Sequence, residues 1–243
     1  MTFKTKGIIL KRTNLGEADR ILTIFTEKQG KIKAIAKGIR KTLSRLAGHL
    51  EPFCLVNLQI AEGRNLDIVT EAETIKCFIK LRGNLRATHQ AYYLAEIIEK
   101  MTAEGEKHLA IFDLLEQVLE HLDNGKNKLL LSYFEINFLA ESGFAPELYK
   151  CISCGRKLQP DENYFSFRQG GIVCARCFKA NFDAKKITAR AVKILRLFLK
   201  QRISVIQKIQ TDKKLVQEIE EIASTYIEHI AQKEFKSKRF LEK

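Results

Sequence analysis

No apolar run in this sequence is long enough to cross a membrane. Runs such as Ile8–Leu10 and Leu129–Leu131 fall far below the ~20 residues a spanning helix needs. The opening residues Met-Thr-Phe-Lys-Thr-Lys lead into a strand-like run without the apolar core of a signal peptide, so a cytoplasmic setting is expected. Tryptophan is absent, and the first 76 residues hold no tyrosine and only three aromatics, Phe3, Phe25 and Phe53. These three are expected in a core, which leaves the region without an aromatic stacking platform. The phosphate-binding pattern G-x-x-x-x-G-K-[ST] is missing, as is the His-x-Glu pair of zinc deaminases. The five histidines, His49, His89, His108, His121 and His229, are scattered. The clustered acids Glu218, Glu220 and Glu221 read as the solvent face of a helix. Catalysis is therefore not expected. Internal repeats and low-complexity linkers are also lacking.

What is present is positive charge. The 243 residues carry a formal net charge of +13, with a pI near 9.5. This balance favours a polyanionic partner, either nucleic acid or an anionic surface. The excess is uneven. Residues 1–50 hold 12 basic and 3 acidic side chains, residues 78–150 hold 8 and 11, and residues 151–243 hold 20 and 10. A polyanion is thus expected on the N-terminal part and on the C-terminal part, with the middle as scaffold or protein-binding surface.

Residues 1–76 read as β. Five runs, 7–13, 20–26, 31–36, 53–61 and 66–75, are β-branched or alternating, and glycines punctuate them. Five short strands suit a small barrel such as an OB-fold, with an SH3-like barrel an alternative on pattern alone. From about Lys80 the period becomes helical. Leu94, Ile97, Ile98 and Met101 share a face, Ile111 to Leu122 form a broad apolar stripe, and Leu130, Phe134 and Phe138 recur every four residues. Gly143 reads as the residue ending that third helix. Two further helices close the chain, the last with Asp212 as N-cap. The fold class expected is α+β: a barrel domain over 1–78, a helical domain over 79–150 and 183–243, and a cysteine module inserted over 151–182.

Four of the six cysteines, Cys151, Cys154, Cys174 and Cys177, form the pattern C-x2-C-x19-C-x2-C. Two knuckles of this kind predict one structural zinc held by four thiolates. Gly155 permits the positive φ of a knuckle. Arg156, Lys157, Arg176 and Lys179 would offset the thiolate charge. Tyr164, Phe165 and Phe167, followed by Gly170 and Gly171, predict a hairpin between the knuckles. Four protein ligands leave no open position, so the zinc is expected to staple and not to catalyse. Cys54 and Cys77 are expected to be small buried hydrophobes.

Between Lys28 and Leu50 there are seven basic residues and no acid: Lys28, Lys31, Lys33, Lys37, Arg40, Lys41 and Arg45. The densest part, 37–45, is expected as a loop or short helix between the third and fourth strands. A charge run is usually a solvated face, but an acid-free run beside a barrel points to phosphate contacts. Together with Lys11 and Arg12 these residues form the expected DNA-binding set, and binding is expected to be sequence-tolerant.

Several stretches resemble the bacterial DNA repair protein family RecO. They are Gly7-Ile-Ile-Leu-Lys-Arg, Glu17-Ala-Asp-Arg-Ile-Leu-Thr-Ile-Phe-Thr26, Gly30-Lys31, Ala36-Lys37-Gly38, Ser44-Arg45-Leu46 and Glu51-Pro52-Phe53. Further along come Tyr133-Phe-Glu-Ile-Asn-Phe-Leu, Ser142-Gly-Phe-Ala-Pro-Glu-Leu148, Cys151-x-x-Cys154-Gly155 and Glu234-Phe-Lys-Ser-Lys-Arg-Phe-Leu241. The resemblance implies an OB-fold, a central helical domain and a zinc-finger insertion. It also implies binding of single- and double-stranded DNA, strand annealing, and placement of RecA on strands coated by single-strand-binding protein. Its implied partners are RecR and the acidic tail of the coating protein, and its implied location is the cytoplasm in association with the nucleoid. A hydrophobic groove flanked by basic residues, built from helices between Lys80 and Ser142, is expected to take that tail. The motive is the apolar excess at Leu130, Leu131, Tyr133, Phe134 and Phe138, although most of these side chains are expected in the core. The competing readings are an RNA- or ribosome-associated zinc-ribbon protein and a zinc-dependent nucleic-acid enzyme.

Overall fold

Turn glycines divide the N-terminal residues into five strands, and hydrogen bonding closes those strands on themselves. The protein is described by a computed structural model covering residues 1–125, 128–160, 162–178 and 184–241. Strands β1 (Thr2–Leu15), β2 (Asp19–Thr26), β3 (Gly30–Ala36), β4 (Leu55–Ala61) and β5 (Asp67–Lys76) form a closed barrel in the order β1-β2-β3-β5-β4. Every pair is antiparallel except β3 with β5, which run parallel at Ala34–Asp67 and Ile35–Ile68. This is the OB arrangement, and the parallel pair sets the SH3-like alternative aside. Gly16 and Gly30 adopt φ of 56° and 61° at the two tight reversals that connect β1 to β2 and β2 to β3.

The barrel interior follows the period of two. Leu22 and Ile24, Ala34 and Ala36, and Val56, Leu58 and Ile60 point inward with Ile9 and Val69. β1 and β2 do not keep a wet outer face, since Ile8, Leu10, Thr23 and Phe25 are buried as well. Their cover is helical: α1 (Ile79–Gly83), α2 (Leu85–Met101) and α3 (Leu109–Asp123) follow β5. Phe25 meets Phe112 of α3 at 6.1 Å between ring centroids, and Phe53 meets Tyr92 of α2 edge-on at 4.8 Å. All three barrel phenylalanines are core or packed against it.

The contacts divide the chain into two compact units, residues 1–125 with 235–243, and residues 126–234. The helices are all expected in one domain, over 79–150 and 183–243. Here α1–α3 belong with the barrel, because the barrel's outer face needs them. The C-terminal turn of 3-10 helix, Lys236–Phe240, also returns to this first unit.

The second unit contains α4 (Leu130–Glu141), the strands β6 (Asn163–Ser166) and β7 (Gly171–Cys174), α5 (Ala175–Phe178), β8 (Ala184–Ile187), α6 (Ala189–Phe198), α7 (Ile203–Ile206) and α8 (Lys213–Ala231). α4 is apolar nearly all round and buried on most sides, as a central helix must be, and it packs on α6 and α8. Gly143 ends it with φ 85°. The Gly143 N–H donates to Ala140 O (3.1 Å) and the Phe144 N–H to Leu139 O (2.7 Å), the two bonds of a Schellman stop. Asp212 caps α8 by accepting from the Leu215 N–H at 2.9 Å. The expected hairpin is β6–β7, and a third strand, β8, pairs with β6.

Leu130, Tyr133, Phe134 and Phe138 are buried and fill a core, as expected for most of this set, while Leu131 is half-buried. One expectation is corrected here. Cys54 and Cys77 are not separate thiols: a disulfide joins them, with Cα atoms 4.4 Å apart. They are the next pair beyond Leu55–Lys76 at the end of the β4–β5 ladder, where cross-strand neighbours come close enough to link.

Candidate nucleic-acid interface and metal centre

The segment between β3 and β4 is a series of turns, 37–53, with its tip in solvent and its roots in the barrel. Ile39 and Leu50 are buried in the barrel core. Asp19 Oδ1 accepts from the Gly38 N–H at 2.7 Å, and Gly38 turns with φ 64°. The Arg40 N–H donates to Ala18 O at 2.9 Å, and its guanidinium to Gly16 O at 2.9 Å. The return limb is held by His49, whose Nδ1 accepts from the Thr74 N–H at 3.2 Å and lies 2.8 Å from Thr74 Oγ1. Along this segment Lys37, Arg40, Lys41 and Arg45 are exposed, and Leu43 is 93% exposed at the tip.

The other nominated cations are placed differently. Lys31 is 5% exposed, and its ammonium donates to the carbonyls of Glu99 (2.5 Å) and Thr102 (2.6 Å) at the end of α2. It is a buried clamp and is withdrawn from the DNA-binding set, because a phosphate cannot reach it. Lys11 pairs with Glu99 at 2.9 Å, and Arg12 pairs with Glu51 at 2.5 Å. Lys33 pairs with Glu104, and that hydrogen bond raises the lysine's pKa. Lys28 is exposed, with its ammonium 3.4 Å from Lys4 O. The structure thus sorts one list of basic residues into exposed, neutralised and buried groups. Sequence reasoning missed the anchors Asp19, Ile39 and Leu50. Only the 19-residue distance from Asp19 to Gly38 hid the cap.

The metal centre stands on the β6–β7 hairpin. The Cys151 N–H donates to Arg156 O (2.8 Å) and the Gly155 N–H to Cys151 O (2.8 Å), with Gly155 at φ 71°. This tight turn is the first knuckle. It is pinned to β7 where the Ile152 N–H donates to Ile172 O at 2.9 Å. Cys174 ends β7, and Cys177 follows on the single turn α5. Gly171 is required at the start of β7, since a Cβ there would stand 2.8 Å from Glu147 O.

The four sulfurs lie within 4.8 Å of one another, close to the ~3.8 Å edge that four Zn–S bonds of ~2.3 Å would impose. Burial pushes the Cys151 thiol up, but N–H groups of Cys174, Cys154 and Ser153 hold it down at about 6. Hydrogen bonds with Cys154 and Cys174, ahead of burial and Cys151, push Cys177 up to about 12. Four thiols this close cannot all ionise without a cation among them. The donor set and spacing therefore fit one metal ion with no position left open. Arg156, Lys157 and Arg176 are exposed nearby in sequence, while Lys179 lies outside the described residues.

The chain thus combines an OB-like barrel carrying an exposed basic segment, a helical unit and a four-cysteine cluster that could hold a metal, and no helix among the described residues is long and apolar enough to cross a membrane. Residues 1–78 match the family described as Recombination protein O N terminal, and residues 82–239 match Recombination protein O C terminal. The chain belongs to the RecO family. It is 38% identical over 236 residues to the DNA repair protein RecO of Dehalococcoides mccartyi, covering 97% of this chain and 93% of that protein. It is 34% identical over 241 residues to the DNA repair protein RecO of Roseiflexus sp., covering 99% and 85%. The corresponding protein of Desulforamulus reducens is 30% identical over 241 residues, covering 99% and 94%.

Proposed function

We propose that this chain is a non-enzymatic DNA repair mediator of the cytoplasm and nucleoid, and that the segment 37–45 is its main DNA contact. It binds single and double strands through phosphates, anneals complementary strands, and helps place RecA on strands coated by single-strand-binding protein. RecR and the acidic tail of the coating protein are its partners. The metal is zinc, which Cys151, Cys154, Cys174 and Cys177 hold as a staple. Membership of the RecO family supports the repair role and weighs against the RNA-associated reading. The observation that carries the interface is the exposure of Lys37, Arg40, Lys41 and Arg45 on a segment without acids and rooted in an OB barrel. Phosphate contacts position a strand without reading it, which suits a protein that must act on any sequence.

The test is the quadruple change of Lys37, Arg40, Lys41 and Arg45 to Ala. Single-strand affinity should fall about equally for all sequences, and the salt slope should decrease by roughly 0.7 per lost contact. Annealing should fall with it, while circular dichroism stays that of the parent. Lys31→Met serves as the contrast: it should lower stability by about 1–3 kcal/mol and leave the salt slope unchanged. A folded quadruple variant with parental affinity and slope would move the contact elsewhere, with the segment around Lys233, Lys236, Lys238 and Arg239 next.

A further inference from the structure

The chain holds its cysteines in two chemical states. Cys151, Cys154, Cys174 and Cys177 are unlinked and can hold a metal only as thiolates, so the protein works where thiols survive. Cys54 and Cys77 are linked in the same molecule. Disulfides in reducing surroundings are transient and redox-responsive more often than architectural. The two sulfurs also differ in access: Cys54 is 0% exposed within the barrel core, whereas Cys77 is only partly buried against it.

The position matters as much as the bond. Cys54 closes the return limb of the basic segment. Its own N–H donates to Glu51 O at 3.2 Å, and its carbonyl accepts from the Ile9 N–H at 3.2 Å. Glu51 in turn pairs with Arg12 and Arg82. Just before Cys54, Phe53 is held at φ 64°, outside the usual range for a residue with a side chain, against Tyr92. The limb is already tied to β5 once, by His49 on Thr74. The disulfide is a second tie between the same limb and the same strand end, and a covalent one.

We propose that Cys54 and Cys77 are a reversible redox modification site that fastens the return limb of the basic segment to β5. The reactant is a low-molecular-weight disulfide. The Cys77 thiolate attacks one of its sulfurs, forming a mixed disulfide and releasing one small thiol. Cys54 then attacks the Cys77 sulfur, closing the internal bond and releasing the second small thiol. Two cysteine thiols are oxidised by two electrons, the small disulfide is reduced, and the two thiol protons end on the released thiols. Access dictates this order, because only Cys77 can be reached from solvent. In the oxidised form the limb loses freedom, and the unfolded chain loses more, through a closed loop of 23 residues in sequence separation.

The full-length, metal-loaded protein should be reduced, treated with oxidised glutathione, alkylated and digested without reductant. The expected product is one peptide joining the Cys54 and Cys77 fragments, with metal content unchanged. Oxidation should raise the melting midpoint by about 5 °C or more and slow amide exchange over 49–54 at least about tenfold. The variant C54A/C77A should show neither response. In Cys77→Ser, Cys54 should take up no glutathione, since it has no route to solvent. Three results would overturn the proposal. They are no Cys54–Cys77 link, a link to the metal-binding cysteines with loss of metal, or a link that leaves both midpoint and exchange unmoved.

Discussion

Single residues in this chain are decided by partners far away in sequence. Glu96 accepts from the N–H groups of Lys236 (3.0 Å) and Ser237 (2.8 Å) and from the Ser237 hydroxyl, and it pairs with Lys100 at 2.6 Å. Burial acts to raise its pKa, but the bonds from Lys100, Ser237 and Lys236 overcome this and bring it down from 4.5 to about 2. A carboxylate depressed on folding stabilises the native state fully above its ordinary value, and that contribution is lost as pH falls through the folded value. Glu96→Gln should therefore cost roughly 2–3 kcal/mol at neutral pH, and the gap to the parent should close between about pH 4.5 and pH 2. Urea unfolding across that range measures it. Only Lys100, one helical turn on, is a local partner; Lys236 and Ser237 lie 140 and 141 residues away. Lys31 was opaque for the same reason: its carbonyl partners lie 68 and 71 residues on. A count of lysines treats buried and exposed ones alike, and the same blindness hid the link between Cys54 and Cys77.

Elements were more legible, because their signals are local. The glycines at 16 and 30 delimit β1 to β3, Gly143 stops α4 with both bonds of its motif, and Asp212 caps α8. The two Cys-x-x-Cys knuckles were equally readable, since each spans only four residues and the chemistry requires both. The third strand of the hairpin sheet, β8, escaped because a four-residue strand with two lysines, Ala184–Ile187, carries no apolar alternation. The hairpin is small: beyond Phe165, Ile172 and Val173 it has little core of its own, so a metal held by the four cysteines would supply much of its stability. Chelation of the metal, or Cys177→Ser, should loosen residues 151–178 without altering the barrel. Amide exchange resolved by segment should show protection lost over β6 and β7 and kept over β1 to β5.

At the scale of the whole molecule, the boundary between the matched family segments, near residue 78, is not a boundary of packing. α1 to α3 and the segment from Phe235 belong to the barrel's unit, and the second unit is an insertion between them. Phe235 is 2% exposed, edge-on to Tyr93 at 5.7 Å, with the Lys100 ammonium 5.4 Å from its ring. Phe235→Ala should destabilise the first unit by about 3–5 kcal/mol. Calorimetry should show the barrel's transition moving down and the metal-dependent one staying in place. The helical pattern placed these elements correctly along the chain, but period alone does not say which neighbour a stripe will cover. The return of Phe235 to α2 also bears on how the molecule is made. A ribosome delivers residues in order at about 5–20 per second, and most domains fold as they emerge. Here the first unit begins at residue 1 yet lacks its last buried side chain until residue 235 has left the exit tunnel. The insertion can mature in the meantime, while the half-finished barrel unit waits with Tyr93 uncovered. For some ten seconds or more of synthesis, the part made first is the part still open to chaperones.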